Sequence, residues 1–286
     1  MLWTILSILS GFGDAIIFAS MKKLKGINNS IIVWVQYAFA LPFLLVLLYF
    51  NHPQKINSNV YWVAFLNGIL LIFSAYLILK AVKISDLSTS MPMLSATPLF
   101  LVFTSYFMLK ELPTFYGFIG IFLIVIGAYI IHIKDYKKGF FYPFKALFKD
   151  KGTFYVLIVA FIFSIAANLG KLGVLYSNPI FYSFIAYLFV SVIMAPFIIY
   201  NLNKKIKEIK ANLKAISLFG ISSAFMMVTY SYAVLVAIVP YVISLKRSSV
   251  IFSIFLGYFM FNEKNIKYAL IGTLIMLAGG ILITLF

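Results

Sequence analysis

The chain has 286 residues, 64% of them apolar and only 10% charged, with a formal net charge of +16. A water-soluble domain keeps roughly a quarter of its residues charged, which argues against a soluble fold, and the absence of cysteine excludes disulfide and thiol chemistry. The positive balance comes from lysines placed beside apolar runs, where anionic lipid headgroups are the expected partner and nucleic acid is not.

Backbone groups in hydrocarbon must be hydrogen-bonded internally, so only helices or a closed barrel can span. Long apolar runs without dyad alternation select helices, each needing about 20 residues. The predicted spans lie near 2–21, 30–50, 60–79, 87–109 and 114–132, then 153–173, 179–200, 215–236, 240–261 and 266–285. The expected fold is therefore all-α and integral to the membrane, with ten transmembrane helices. The opening stretch, Met1 to Ser20, lacks a basic start and a small-residue cleavage site, so it reads as a span rather than a signal peptide. Asp14 lies inside it. In the fourth span, Pro92 and Pro98 predict a kink, whereas Ser244 and Val250 at the matching places of the ninth span predict none. Glu111 and Glu263 fall at span ends, where helix termination and headgroup contact account for them. Between Lys134 and Lys151, lysines interleave with six aromatic residues, the pattern of a segment lying on the membrane. Leu202, Ile206, Ile209 and Leu213 form one helical stripe of a second interfacial segment.

Eighteen lysines lie in the loops after the odd-numbered spans, against three on the other side, Lys55, Lys110 and Lys171. That asymmetry places the lysine-rich loops in the cytoplasm and both termini outside, in the plasma membrane of a prokaryote.

Shifting the chain by 152 residues lays its second half over its first. Gly68-Ile69 falls on Gly220-Ile221, Tyr106-Phe107-Met108 on Tyr258-Phe259-Met260, Glu111 on Glu263, and Gly120 and Gly127 on Gly272 and Gly279. The repeats are residues 1–134 and 153–286, joined by an interfacial linker at 135–152. Five spans per repeat make the copies enter the membrane from opposite sides, and inverted repeats of this kind hold a substrate site near the midplane of secondary transporters.

These repeated spans, each ending in Glu111 or Glu263 and followed by a glycine-bearing span, resemble the drug/metabolite transporter superfamily, EamA type, over the full length. The resemblance implies ten helices in two inverted five-helix halves and alternating access around a central cavity. It leaves the substrate open among amino acids, sugar phosphates, nucleotide sugars, choline and other metabolites.

Ionisable residues inside spans are costly and default to functional hypotheses. Here they are Asp14, and the adjacent Lys246 and Arg247 in the ninth span, whose repeat mates are Leu94 and Ser95. The residues alone allow a buried ion pair or a cationic patch facing the cavity, with Ser244 and Ser248 as small polar neighbours and Tyr230, Tyr76 and Asn168 as further lining. Gln36, Tyr37, Asn67 and Tyr187 are polar enough to line it as well, or to bond between helices. One acid against two cations leaves a surplus positive charge, which a carboxylate or phosphate would neutralise. The basic pair also resembles the phosphate-binding pair of the plastid sugar-phosphate carriers in the same superfamily. Those carriers add a lysine on the fourth helix, and this chain has Ser88, Thr89 and Ser90 there. Asp14 is read as a proton-coupling carboxylate or a fixed counter-ion. Helix depth places it several ångströms nearer the cytoplasm than the basic pair, leaving their pairing open. Lys22, Lys23 and Lys171 sit near the ends of the first spans of the two halves, where snorkelling is the expected role and gating contacts are the alternative.

His52 and His132 have no second ligand at metal spacing, and no phosphate loop, nucleophile elbow or zincin motif occurs. The expectation is a secondary transporter of a small polar metabolite, an organic anion, with no enzyme activity, metal or cofactor. The alternatives are an exporter of amino acids or similar zwitterions, with Asp14 holding the amine, and a flippase for a phosphate-linked lipid.

Overall fold

The computed structural model describes residues 2–24, 26–111, 114–131, 150–199, 202–264 and 266–285, and among these every regular element is helical. Eight helices are long and apolar enough to cross a membrane: α1 (Leu2–Lys23), α2 (Asn29–Phe50), α3 (Asn59–Ile84), α4 (Leu87–Leu109), and, past α5 (Phe115–Ile131), α6 (Lys151–Leu175) and α7 (Pro179–Ile199), then, past α8 (Leu202–Ala211), α9 (Leu213–Val236) and α10 (Val239–Phe261). α11 (Ile266–Leu285) follows as a further apolar helix of 20 residues, and α5 is shorter, with 17. All ten segments expected to span are thus helical among the described residues.

Local chemistry sets several of the ends. The Asn28 side chain accepts the Ser30 N–H at 2.9 Å and opens α2. Asp150 does the same for α6 through Thr153 N at 2.7 Å, and also accepts the Ser85 hydroxyl at 3.2 Å, fastening the end of α3 to the start of α6. α4 and α10 both end on a left-handed residue, Lys110 (φ 59°) and Asn262 (φ 53°). Those positions are 152 apart, so the repeat read from side chains extends to the backbone.

Packing follows a two-fold pattern. α1 packs on α9 and α6 on α3, so the first helix of each half meets the third of the other. α2 pairs with α7, α5 with α11, α1 with α10 and α6 with α4. The α5–α11 pair shows why glycine recurs there. A Cβ on Gly127 would lie 2.5 Å from the Gly272 carbonyl oxygen and 2.4 Å from Met276 Cγ, so only a glycine lets these backbones approach. Facing outward, the repeat mates Phe107 and Phe259 are 72% and 73% exposed, as lipid-facing residues should be.

The proline kink is present: α4 passes through a 3₁₀ stretch, Met91–Ala96, carrying Pro92. The straight ninth span is corrected, because α10 also breaks, into Val239–Lys246 and Ser249–Phe261, at the same repeat position. α1 crosses tightly at that break. A Cβ on Gly11 would stand 2.5 Å from the Lys246 carbonyl oxygen and 3.1 Å from Ser249 N. The aromatic linker expected to lie on the membrane falls, apart from Asp150 and Lys151, outside the described residues. In the second interfacial segment, α8 forms as expected. Ile209 packs against the core edge, and Glu208 accepts the Asn28 N–H at 3.3 Å.

Candidate functional site

Between the halves lies a cavity of about 80 Å³ measured to the centres of water-sized occupants, room for on the order of five waters. Its polar wall comes from both halves: Asp14 on α1, Gln36 and Tyr37 on α2, Asn67 on α3, and Tyr187, Tyr230, Lys246 and Arg247 on α7, α9 and α10. Ser74 also lines it, and the remainder is apolar, including Ile17, Phe18, Leu71, Phe163, Met227 and Ile243.

Charge is concentrated at the break in α10. Lys246 Nζ lies 3.2 Å from Asp14 Oδ2, 3.3 Å from Met226 Sδ and 5.1 Å from the Tyr230 ring centre. The pairing left open by helix depth is therefore made. Depth counted at 1.5 Å per residue assumes straight, parallel rods, whereas α10 is interrupted here and the flexible lysine stem spans the difference. Arg247 is only 2% exposed. Its Cζ lies over Phe163, 5.6 Å from the ring centre, and its Nε and Nη1 have no hydrogen-bond partner among the described residues. Of the charges lining the cavity, the Asp14–Lys246 pair cancels and Arg247 remains.

At each end of the bundle a carboxylate clasps the halves together. Glu263, just past α10, accepts Lys22 Nζ of α1 at 2.6 Å and the backbone N–H groups of Leu87 and Ser88, both at 2.9 Å, at the start of α4. Glu111, just past α4, accepts Lys171 Nζ of α6 at 2.6 Å and Val239 N at 3.1 Å, at the start of α10. Leu87 and Val239 are 152 residues apart, as are the two glutamates. Each carboxylate thus caps the opposite half's fourth span, where helix N-termini favour anions, and takes a lysine from that span's neighbourhood. This corrects the simple end-cap reading of the glutamates and the snorkelling reading of Lys22 and Lys171. Partners 241 and 60 residues away in the chain are set by the fold, not by local sequence. Burial alone would raise the Glu263 carboxyl, but Lys22 and the Ser88 and Leu87 donors outweigh it and hold it below the usual value.

The model of the EamA-like transporter family matches residues 1–133 and 150–285. The chain belongs to the EamA-like transporter family. It is a multi-pass membrane transporter of the drug/metabolite transporter superfamily. Among curated proteins no match was found. A solved structure described only as "Crystal structure of protein" is similar over 98% of this chain and 96% of its own, with a TM-score of 0.65 and 14% identity. At that identity the likeness concerns the fold alone.

Within this EamA-like transporter, the sequence-expected site residues divide. Asp14, Lys246, Arg247 and Tyr230 meet at the cavity, and the Tyr230 hydroxyl donates to Ala167 O at 2.8 Å. Ser244, Ser248, Tyr76 and Asn168 do not line it. Ser244 is buried toward α11, its Cβ 3.4 Å from where a Gly280 Cβ would stand. Ser248 packs on Gly11 of α1, and a helix already turns it about 100° from Arg247. Tyr76 donates to Ser30 Oγ at 3.0 Å, and Asn168 accepts the Ser105 hydroxyl at 2.8 Å. Both are interhelical bonds, the alternative their polarity allowed. Gln36, Tyr37, Asn67 and Tyr187 take their places in the wall, and Gln36 Oε1 and Asn67 Oδ1 are buried without partners. Phe163 and Ser74 carried no signal in the sequence, being indistinguishable from ordinary core residues.

Proposed function

We propose that this transporter moves a small organic anion, carboxylate or phosphorylated, by alternating access, and that the cavity at the α10 break is its binding site. The observation that carries the reading is Arg247: a guanidinium 2% exposed, in the cavity wall, with two nitrogen donors unpartnered while its neighbour Lys246 is already matched by Asp14. A buried charge without a partner is strongly destabilising, and a bound anion supplies the missing partner. Asp14 then serves as the counter-charge that holds Lys246. A coupling role for it is tested by the pH dependence of uptake in Asp14→Asn.

The two clasps support the rocking of halves 1–134 and 153–286. They lie at opposite ends of the bundle and join opposite halves, so opening either face requires only its own clasp to release. In the bilayer the lysine-rich loops face the cytoplasm with anionic headgroups around them, and both termini face out. A reporter fused after Phe286 that reads as cytoplasmic would reverse that assignment.

The direct test is uptake into proteoliposomes across carboxylate, phosphorylated and zwitterionic solutes. Anions are expected to be carried and to compete with one another. Transport confined to zwitterions, with Arg247→Gln as active as wild type, would overturn the proposal.

A further inference from the structure

We infer that the ligand of this site is a monocarboxylate with an apolar body, rather than a phosphorylated metabolite. The inference rests on the anion reading above and narrows it.

The first argument is charge number. The charged residues of the cavity lining are Asp14, Lys246 and Arg247, which sum to one positive charge. A monoanion brings that sum to zero. A phosphate monoester, close to a dianion at neutral pH, overshoots it and leaves a net negative charge in a region where water is scarce and Coulomb energies are large. A zwitterion contributes nothing and leaves Arg247 uncompensated. The second argument is shape. Guanidinium presents coplanar N–H groups that match the two oxygens of a carboxylate as well as those of a phosphate, and Arg247 lies over Phe163 with Cζ 5.6 Å from the ring centre. The third is the remainder of the wall. The same cavity is lined by Ile17, Phe18, Leu71, Ile78, Met227 and Ile243, and none of these offers a hydrogen bond to a hydroxyl-rich sugar. Gln36 and Asn67 each leave one amide oxygen unpartnered, which a single hydroxyl or a water satisfies. An acid with an alkyl or aryl tail fits all three features.

The test is equilibrium binding to the purified full-length transporter in detergent, read as thermal stabilisation against ligand concentration. Across acetate, butyrate and hexanoate, affinity should rise by about fourfold per methylene that enters the apolar wall. 3-Phenylpropionate should bind about tenfold or more tighter than phenylalanine, which differs only by its ammonium, and than phenyl phosphate at a pH where it is a dianion. Removing the negative charge of the lining with Asp14→Asn raises its sum to two. The ratio of phenyl phosphate to 3-phenylpropionate affinity should then rise by about tenfold, a change of preference that general loss of packing does not produce. An affinity flat along the alkyl series, or phenylalanine or phenyl phosphate preferred by wild type, overturns the inference without needing any variant. The two readings also fail separately. If phosphorylated solutes alone bind and are carried, anion transport stands and the apolar acid falls. If 3-phenylpropionate binds as expected but no anion crosses proteoliposomes, the ligand class stands and anion transport falls.

Discussion

The two clasps and the central charge cluster belong to the same bundle but have opposite histories in the repeat. Most elements of the clasps occur twice: Glu111 and Glu263, the capped N–H groups at Val239 and Leu87, the left-handed Lys110 and Asn262, and the lysines of α6 and α1; the second N–H on Glu263, that of Ser88, has Pro240 as its repeat mate and so no counterpart. Lys246 and Arg247 occur once, with Leu94 and Ser95 standing in the other copy. Both halves retain the contact that joins them, and only one half carries the basic pair that the proposed function assigns to the solute. The shared scaffold holds its shape without the basic pair, so that pair is free to be specialised.

Changes at Arg247 should break the comparison most severely. Arg247→Gln removes two charge-assisted donors, each worth about 1.5–3 kcal/mol, and should lower anion affinity on the order of 10²-fold. Ser95→Ala at the repeat mate should leave affinity within about twofold. Titrating both variants with the same anion checks this, and equal effects would show that the asymmetry has no bearing on binding.

The clasps predict a smaller, two-sided effect. The chain has no cysteine, so Ser74→Cys, in the cavity wall, reports access to an impermeant thiol reagent. Glu263→Gln should raise labelling from the lysine-rich face and Glu111→Gln from the other, each by roughly tenfold, since a half-broken buried pair weakens closure. If either variant opens both faces, the clasps are general braces and not gates.

Much of this was legible in the sequence, for identifiable reasons. A charge in an apolar span must find a partner or water, so Asp14, Lys246 and Arg247 marked the cavity before any coordinates. Tyr230 came with them because a tyrosine in a span needs a partner for its hydroxyl. The Asp14–Lys246 pair was not legible, because depth along ideal helices ignores the break in α10. Ser244 and Ser248 lie off the cavity wall because closeness in sequence is not shared facing: two residues along a helix turn Ser244 about 200° from Lys246, and Ser248 lies beyond the interruption. The clasps left a signal that local reading missed. Two aligned glutamates and lysines at matching ends of the first spans already specified a reciprocal exchange. Seeing it required pairing residues across halves, and the expectations of end caps and snorkelling treated each half alone.

Acid should sharpen the contrast within the clasps. The folded Glu263 carboxyl lies below its ordinary value, so the folded state binds its proton less readily than the unfolded one. Its contribution is complete above the unfolded value, roughly 4.3, and is lost as pH falls through the folded value. The difference in thermal stability between wild type and Glu263→Gln should therefore hold constant from neutral pH down to about 5 and close only in stronger acid. A difference already lost by about pH 6 would mean that the carboxyl is not held ionised by Lys22 and the α4 N–H groups.

The smallest effect should come from polar residues that neither clasp nor bind. Tyr76→Phe deletes one hydroxyl, bonded to Ser30 between α3 and α2 and absent from the cavity wall. A single neutral hydrogen bond contributes about 1 kcal/mol, and Ser30, near a helix start, can turn to water once freed. Unfolding of the variant should shift by that modest amount while its ligand affinity and its two-sided labelling match wild type. A change in affinity larger than a change in stability would place Tyr76 back in the site and imply that the cavity reaches the α2–α3 seam in another conformation. The asymmetry between halves would then extend past the charge cluster to neutral lining residues, and the division between a repeated latch and a single charge would be too simple.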